Sequence, residues 1–238
     1  MKREIEDRKK WILVPGKNSE DLLFYQYRLS VEDCTPRYLG MRLKNTGTGL
    51  LDARLYIGNI KWEDAIRLNL LSGYRTANIR QFMDFRLLLE QGVREGKEVF
   101  DGNGSKIDQN RVLGIYSDLQ AQQEPYRGEF LDAYFVSGRE GRLCINYSSR
   151  LEEGVVLGKS ELLDECLMES GFVDISSLNR QGLPTEKAIS SNVIYHYPRN
   201  DSITGFGAGS VRVSLVCGGN PRDTNAGLGI RPVIVRER

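Results

Sequence analysis

The residue types best suited to catalysis or metal binding are one histidine, His196, and four cysteines, Cys34, Cys144, Cys166 and Cys217. One histidine cannot form a multi-histidine metal site, and a serine–histidine–aspartate triad would have to use His196. The cysteines form no Cys-x-x-Cys pair, so neither a zinc ribbon nor a thioredoxin-like motif is indicated. We expect buried free thiols rather than two disulfides in a chain of this size. The sequence predicts no catalytic residue, no metal site and no cofactor, with His196 as a surface or packing residue.

One loop has part of the spacing of a calcium site. Asp101, Asn103 and Ser105 stand at alternate positions, as the first ligands of a calcium loop do, but the glycines and the terminal acid do not fit. A hairpin or connecting turn over 101–104 is therefore the favoured interpretation.

Positive and negative charges almost balance along the chain. Lys and Arg total 33 against 32 Asp and Glu, a formal net charge of +1. Nucleic-acid-binding proteins usually carry a basic face, so no nucleic-acid partner is expected. No apolar run reaches the ~18 residues of a transmembrane helix, and residues 1–10 contain no apolar signal segment. We expect a cytoplasmic or virion-associated protein with no membrane span.

Two helices are the clearest predicted elements. One runs from Lys61 to Gly73 with apolar residues at helical spacing, and the second opens with a capping box at Asn78 and is expected to stop at Gly92. A third, short helix is predicted over 160–170. The sequence lacks internal repeats and long linkers, so one irregular α+β domain over 1–238 is favoured over two.

Short strands are predicted around these helices. They comprise Trp11-Ile-Leu-Val closed by Pro15-Gly16, Leu143-Cys-Ile-Asn-Tyr and Gly154-Val-Val-Leu-Gly. Residues 1–55 are interpreted as N-terminal strands and an extension, with a loop over 44–49.

The composition changes near the C-terminus. Residues 188–236 contain no Lys, Glu, Gln, Met or Trp, although these five types make up about a fifth of the chain before them. A uniform composition would produce such a gap with a probability on the order of 1 in 10⁵. One explanation is a glycine-rich β segment that excludes long charged side chains. The other comes from the genetic code, because random replacement of the adenines in AAC or AAT codons never yields these five residue types.

Two blocks of sequence resemble the formylglycine-generating-enzyme-like branch of the C-type lectin fold. Lys61-Trp-Glu-Asp-Ala-Ile through Gly73-Tyr-Arg-Thr is similar to that branch's Trp-bearing helix and Tyr-Arg turn, and 220–233 is similar to its closing Gly-x-Arg strand. Thr76-Ala-Asn78 departs from the branch, where a proline and acidic residues are usual. The resemblance implies a C-type lectin-like α+β fold with two helices packed on short, irregular antiparallel sheets.

Within that branch, the codon-restricted C-terminus resembles the variable proteins of diversity-generating retroelements, including viral and archaeal ones. The resemblance implies a fixed body with a variable ligand-binding region, here 190–233, that an error-prone reverse transcriptase rewrites at template adenines. It also implies an exposed binding face and a protein or cell-surface ligand.

Strand alternation selects some of the candidate binding residues, and the resemblance implies others over 218–226, which match the family's variable positions by their offset from Gly229-Ile-Arg231. Along 210–216 one face would carry four of them while Val211, Val213 and Leu215 face the core. Tyr and Asn also suit adaptable recognition, although both can equally pack or form turns. The candidates are Tyr195, Tyr197, Asn200, Asp201, Ser210, Arg212, Ser214, Val216, Gly218, Gly219, Asp223, Asn225 and Ala226. Gly229 and Arg231 are interpreted as framework, with Arg231 holding backbone carbonyls or an acid.

Two alternatives remain open at this point. A fixed-specificity lectin-like or viral tail adhesin would share the fold and lack the variation. An oxidase of the formylglycine-generating type is less favoured, because those enzymes use paired cysteines in the C-terminal part, where only Cys217 occurs here. No Glu-Pro-Asn or Gln-Pro-Asp triplet for a calcium-dependent sugar site is present. We expect a protein that is not an enzyme.

Overall fold

The computed structural model describes residues 7–16, 20–28, 60–120, 128–152, 155–208, 212–224 and 227–236. In these ranges the protein is a mixed α+β structure with three α-helices and two sheets in which antiparallel pairing predominates. The predicted α+β class is thus confirmed, although one of the three helices is not where the sequence predicted it. The expected loop over 44–49 lies outside the described residues. Across the same ranges, no helix is both long enough and apolar enough to span a bilayer.

Helices α1 (Trp62–Leu71) and α2 (Ile79–Glu95) confirm the two helices predicted from sequence. Helix α1 ends before Gly73, whose φ of 80° suits a residue without a side chain. Helix α2 begins with the predicted capping box: the Asn78 side chain accepts from the Gln81 backbone N–H, and the Gln81 side chain accepts from that of Asn78.

The predicted stop of α2 at Gly92 is wrong. The helix continues to Glu95, and Gly96 forms its left-handed C-cap with φ 71°. Gly92 instead lies where a neighbouring element approaches closely, since a Cβ there would meet Val99 Cγ2 at 2.9 Å and Val112 Cγ1 at 3.0 Å. The glycine therefore serves packing rather than termination.

Helix α3 (Gln109–Leu119) was not predicted, and the helix predicted over 160–170 does not exist. Asp108 caps α3 by accepting from the Arg111 backbone N–H. The 160–170 segment begins as the end of a strand and continues as a loop, which Gln181 fastens by accepting from the Asp164 N–H and donating to the Leu162 carbonyl.

The smaller sheet has the order β3-β13-β2-β1-β4 and is antiparallel throughout. Its strands are β1 (Trp11–Val14), β2 (Leu22–Tyr25), β3 (Arg75–Thr76), β4 (Phe100–Asp101) and β13 (Pro232–Val235). The turn after β4 is a hairpin turn, because Phe100 and Lys106 form an antiparallel bridge across it. Within the turn, the Asp101 carboxylate accepts from the backbone N–H groups of Asn103 and Ser105. The predicted first strand and the hairpin interpretation are both confirmed.

The larger sheet has the order β7-β6-β5-β10-β11-β9-β8, with β12 paired to β5. Its strands are β5 (Gly128–Ser137), β6 (Leu143–Glu152), β7 (Val155–Leu162), β8 (Gly171–Phe172), β9 (Val193–His196), β10 (Ser202–Ala208), β11 (Val213–Gly219) and β12 (Leu228–Gly229). Two pairs are parallel, β11 with β9 and β12 with β5. Strands β6 and β7 confirm the two strands predicted at 143–147 and 154–158.

The core lies on both faces of the larger sheet. On one face, Phe206 packs with Phe82 of α2, and Phe24 of the smaller sheet stacks on Phe85 with ring centroids 4.5 Å apart. On the opposite face a second apolar cluster joins Phe130 and Ile203 to α1 and to Trp11. Beyond α1, this second face of β5, β10 and β11 carries the candidate site.

Candidate functional site

Strand β11 alternates between buried and half-buried residues. Val213 and Leu215 are buried, whereas Ser214 and Val216 are half-buried on the face that also carries Phe130. The alternation predicted for this segment is therefore confirmed for residues 213–216. Ser210, Asn225 and Ala226, which were predicted on the same surface, lie outside the described residues.

Glycines of adjacent strands line up on this face. Gly207 pairs with Gly128 of β5 on one side and with Ser214 of β11 on the other, and Gly205 pairs with Phe130 and Val216. Because these glycines carry no side chain, the sheet surface forms the floor of a depression. We call it the glycine-floored groove.

The groove encloses about 330 Å³. Its walls are apolar, with Phe130 and Leu228 on one side and Val216 on the other, while Asn220 and Asp223 stand among its polar lining residues. These two close a turn on themselves, since Asn220 Nδ2 donates to Asp223 Oδ1 at 3.0 Å. An apolar floor with a few polar groups at the edge suits recognition of an apolar ligand group.

A buried ion pair fixes the wall formed by β12. Arg231 Nε donates to both oxygens of Glu129, Nη2 donates to Oε1 at 2.5 Å, and Nη1 donates to the Tyr25 carbonyl at 2.8 Å. Gly229 is also buried and pairs with Glu129 in the ladder. The prediction that Arg231 holds an acid and a backbone carbonyl is confirmed.

Arg28 supports the groove floor from the buried side. Its Nη1 donates to the carbonyls of Gly128 at 3.1 Å and Gly227 at 3.2 Å, and the Gly128 N–H donates to the Gly227 carbonyl at 2.7 Å. The chain before β12 is therefore fastened to the start of β5 by charged and neutral hydrogen bonds.

A second depression of about 810 Å³ lies beside α1. Trp62 and Tyr134 stack in it with ring centroids 5.8 Å apart, and Asp201 and Arg222 also line it. The Tyr134 hydroxyl donates to Asp201 Oδ1, and this hydrogen bond raises the pKa of Tyr134. The turn over 220–223 therefore borders both depressions, with Asp223 towards the groove and Arg222 towards the second depression.

Asp132 is buried on the same face of β5. Its two carboxylate oxygens accept from the Ser148 backbone N–H at 2.9 and 3.0 Å. Burial raises the pKa of Asp132 to about 7, and the hydrogen bonds from Ser148 oppose that rise only in part. Asp132 is thus a buried acid that titrates near neutrality.

Tyr195 is wrongly included among the candidate binding residues. The ring is fully buried between the sheet and the loop before β8, and its hydroxyl donates to the Leu167 carbonyl at 3.1 Å. Residue 195 pairs with Leu215 in the parallel ladder of β9 and β11, which directs it to the core. The apolar ring packs in the core and its hydroxyl bonds the backbone, so Tyr195 is not available to a ligand at the surface.

Four further candidates do not line the groove. Asn200 Oδ1 accepts from the Ser137 N–H, Asp201 adopts φ 56° in the turn before β10, and Tyr197 packs under the guanidinium of Arg199. A Cβ on Gly218 would meet the Tyr197 carbonyl at 3.2 Å, on the side of β11 facing the end of β9. Of the candidates, the groove gathers Ser214, Val216, Gly219 and Asp223.

Arg212 is separated from Ser214 and Val216. It precedes β11, so the strand alternation does not extend to it, and it lines a different pocket with Arg86, Glu90 and Arg94. The guanidinium lies 4.2 Å from the centre of the Phe172 ring, and Nη1 donates to the Ser191 carbonyl.

The groove residues that were not predicted include Gly128, Phe130, Gly205, Gly207, Asn220 and Leu228. The spacing Gly205-Phe-Gly207 did carry a usable signal, because alternate glycines leave one face of a strand bare. Gly128 and Leu228 carried none, since their place depends on pairing between distant segments.

The described cysteines are free thiols, with Cys217 fully buried and Cys144 and Cys166 half-buried. Burial raises the pKa of the Cys217 thiol, which therefore stays neutral and poorly nucleophilic. The expectation of free thiols is confirmed for these three, and Cys34 lies outside the described residues. His196 is exposed at the end of β9, as expected of a surface residue.

Comparisons of the chain with protein-family models, with curated proteins and with solved structures found no match.

Proposed function

We propose that this protein is a ligand-binding protein with a C-type lectin-like fold, in which the glycine-floored groove and its rim bind a protein partner. We further propose that a retroelement diversifies residues 190–233. The observation that carries the proposal is the meeting of Ser214, Val216, Gly219 and Asp223 in one groove. All four belong to the segment that lacks Lys, Glu, Gln, Met and Trp.

Alternation along β11 supports the idea that this surface tolerates change. Ser214 and Val216 lie on the opposite face of β11 from Val213 and Leu215, so substitutions there leave the packing of Val213 and Leu215 intact. The fixed side of the groove comes from β5, outside the proposed variable segment. Sequence change is tolerated where side chains leave a well-supported backbone, as they do here.

The first test of this proposal is to sequence many copies of the gene from its source population. We expect substitutions at Ser214, Val216 and Asp223, with few at the buried neighbours Val213 and Leu215. They should fall on adenine positions of an imperfect template repeat near a reverse-transcriptase gene. Variation spread evenly between the codons of buried residues and those of half-buried residues would contradict the proposal. No variation, and no reverse-transcriptase gene, would favour an adhesin of fixed specificity.

The second test measures binding directly. One display library randomises Ser214, Val216, Asn220 and Asp223, and a matched library randomises the exposed positions Leu113, Ser117, Glu165 and Lys187. Selection against a panel of soluble proteins should enrich binders from the groove library alone. Gly205→Val should abolish the selected binding, because its side chain would fill the floor beside Leu228. Equal enrichment from both libraries would count against the groove as the binding surface.

A further inference from the structure

The pocket that contains Arg212 gathers an excess of positive charge. It encloses about 410 Å³ between α2 and the segment before β9, and it is lined by the guanidinium groups of Arg86, Arg94 and Arg212 against the carboxylates of Glu90 and Asp174. Three positive and two negative groups leave one positive charge uncompensated by the lining residues.

Glu90 cannot neutralise its arginine neighbours fully. Its Oε2 lies 3.1 Å from Arg86 Nη1, and its Oε1 lies 3.0 Å from Arg94 Nη1, so one carboxylate serves two guanidinium groups. Arg86 is nearly inaccessible, and its desolvation lowers the pKa of the guanidinium. A buried cation that shares its counter-ion favours a further anion nearby.

Arg212 is already oriented to supply that contact. The Phe172 ring supports its guanidinium plane, and Nη1 is occupied by the Ser191 carbonyl. Among the described residues, no hydrogen bond or ion pair engages its Nε or Nη2. A planar guanidinium held in this way loses little further freedom when it binds an oxyanion. The hydroxyl of Ser190 and the amide of Asn192 stand beside it on the same lining.

We propose that this pocket is a binding site for a phosphate group, with Arg212 and Arg94 as its principal ligands and Ser190 and Asn192 as additional donors. The site lies on the α2 side of the larger sheet and is distinct from the glycine-floored groove, so phosphate binding by this sequence can be tested without reference to ligand binding at the groove. A phosphate group carries the charge that the lining lacks and accepts several hydrogen bonds at once.

Isothermal titration of the full chain with inorganic phosphate, at constant ionic strength, tests the site. We expect one saturable phosphate per chain. Arg212→Ala should weaken binding at least tenfold, and Arg212→Lys should weaken it as well, because an ammonium group lacks the planar fork. The matched control is Arg222→Ala, which removes an arginine that is 81% exposed elsewhere on the surface and should bind phosphate like the wild type.

Titration with O-phosphoserine separates two sources of the group. Tighter binding than inorganic phosphate identifies a phosphate monoester on a larger ligand, whereas equal affinity identifies the free ion. Circular dichroism and urea unfolding check that each variant is folded. If Arg212→Ala does not fold, Arg94→Ala provides the same test, because the Arg94 side chain is 57% exposed. The absence of saturable binding by the wild type would overturn the proposal. Equal affinity in the folded pocket variants and in Arg222→Ala would do so too.

Discussion

Arg231 binds both carboxylate oxygens of Glu129 although 102 residues separate the two in sequence. The side chains of both are almost inaccessible, with 2% and 4% of their surfaces exposed. The pair joins the closing strand of the smaller sheet to the first long strand of the larger one. Its removal should therefore destabilise the junction between the two sheets.

Removing one partner of this pair should be costly. Arg231→Ala leaves the Glu129 carboxylate buried without a counter-charge, and we expect the free energy of unfolding to fall by about 3–5 kcal/mol. Urea denaturation measures the loss. Arg222→Ala, which removes an exposed arginine 3.9 Å from Asp201, should change stability by less than about 0.5 kcal/mol. Similar values for the two variants would show that the buried pair contributes nothing special.

Two helical glycines should respond oppositely to alanine. Gly92→Ala places a methyl group 2.9 Å from Val99 Cγ2, and we expect a loss of about 1–3 kcal/mol despite the better helix propensity of alanine. Gly114→Ala in α3 meets no atom within 4 Å and should stabilise the protein by about 0.5–1 kcal/mol. Thermal unfolding of the two variants provides the comparison, and shifts of the same sign would contradict it.

A second pair of glycines separates backbone strain from steric overlap. Gly182 and Gly104 have φ values of 86° and 81°, so alanine is strained at both. Only at Gly182 would the Cβ also collide with backbone, 2.5 Å from Arg80 N in the first turn of α2. We expect Gly182→Ala to lower the free energy of unfolding by at least about 2 kcal/mol more than Gly104→Ala does. Equal losses in urea titrations would mean that the loop moves aside freely.

Stability should depend on pH through Asp132. Its pKa is raised to about 7 from an ordinary value of 3.8, so the folded protein holds this proton more tightly than the unfolded chain. The resulting stabilisation is complete below about pH 4 and is lost as the pH rises towards 7. In the wild type we expect the free energy of unfolding to decrease by about 2–3 kcal/mol between pH 5 and pH 8 through Asp132, and Asp132→Asn should remove this decrease.

The measurement is urea unfolding of wild type and Asp132→Asn at both pH values. Glu165→Gln, at an exposed acid in the loop before β8, should leave the wild-type dependence unchanged. A decrease of the same size in Asp132→Asn and wild type would exclude Asp132 as its origin.

Local signals in the sequence were sufficient for part of the fold. The capping box at Asn78 and the apolar periodicity of the first two helices do not depend on distant contacts, and both helices lie where they were predicted. Helix α3 carried a local signal of the same kind, because Val112, Ile115 and Leu119 stand at i, i+3 and i+7 after the N-cap residue Asp108, and it was accessible from the sequence although it was not predicted.

Pairing between distant segments explains the errors. The apolar residues over 160–170 have helical spacing, but the first of them, Leu162, belongs to strand β7 and pairs with Cys144 of β6. Tyr195 has the type expected of a binding residue, and only the parallel pairing of β9 with β11 shows that it is buried. The groove residues of β11 could be predicted from the sequence, because the alternation of the strand places Ser214 and Val216 on one face. The groove residues of β5 and β12 could not be predicted, because these two strands are distant in sequence and meet only in the folded chain.

The position of β13 between β3 and β2 has a consequence for synthesis of the protein. Among the strands of the described residues, β3 pairs with β13 alone, and as the chain leaves the ribosome residues 232–235 emerge long after β3 itself. Strand β12, which carries a wall of the groove, emerges only just before them. Contacts of such large sequence separation form late and slowly. Display of the groove and completion of the fold are thus one event, so a nascent chain arrested earlier would present no finished binding surface.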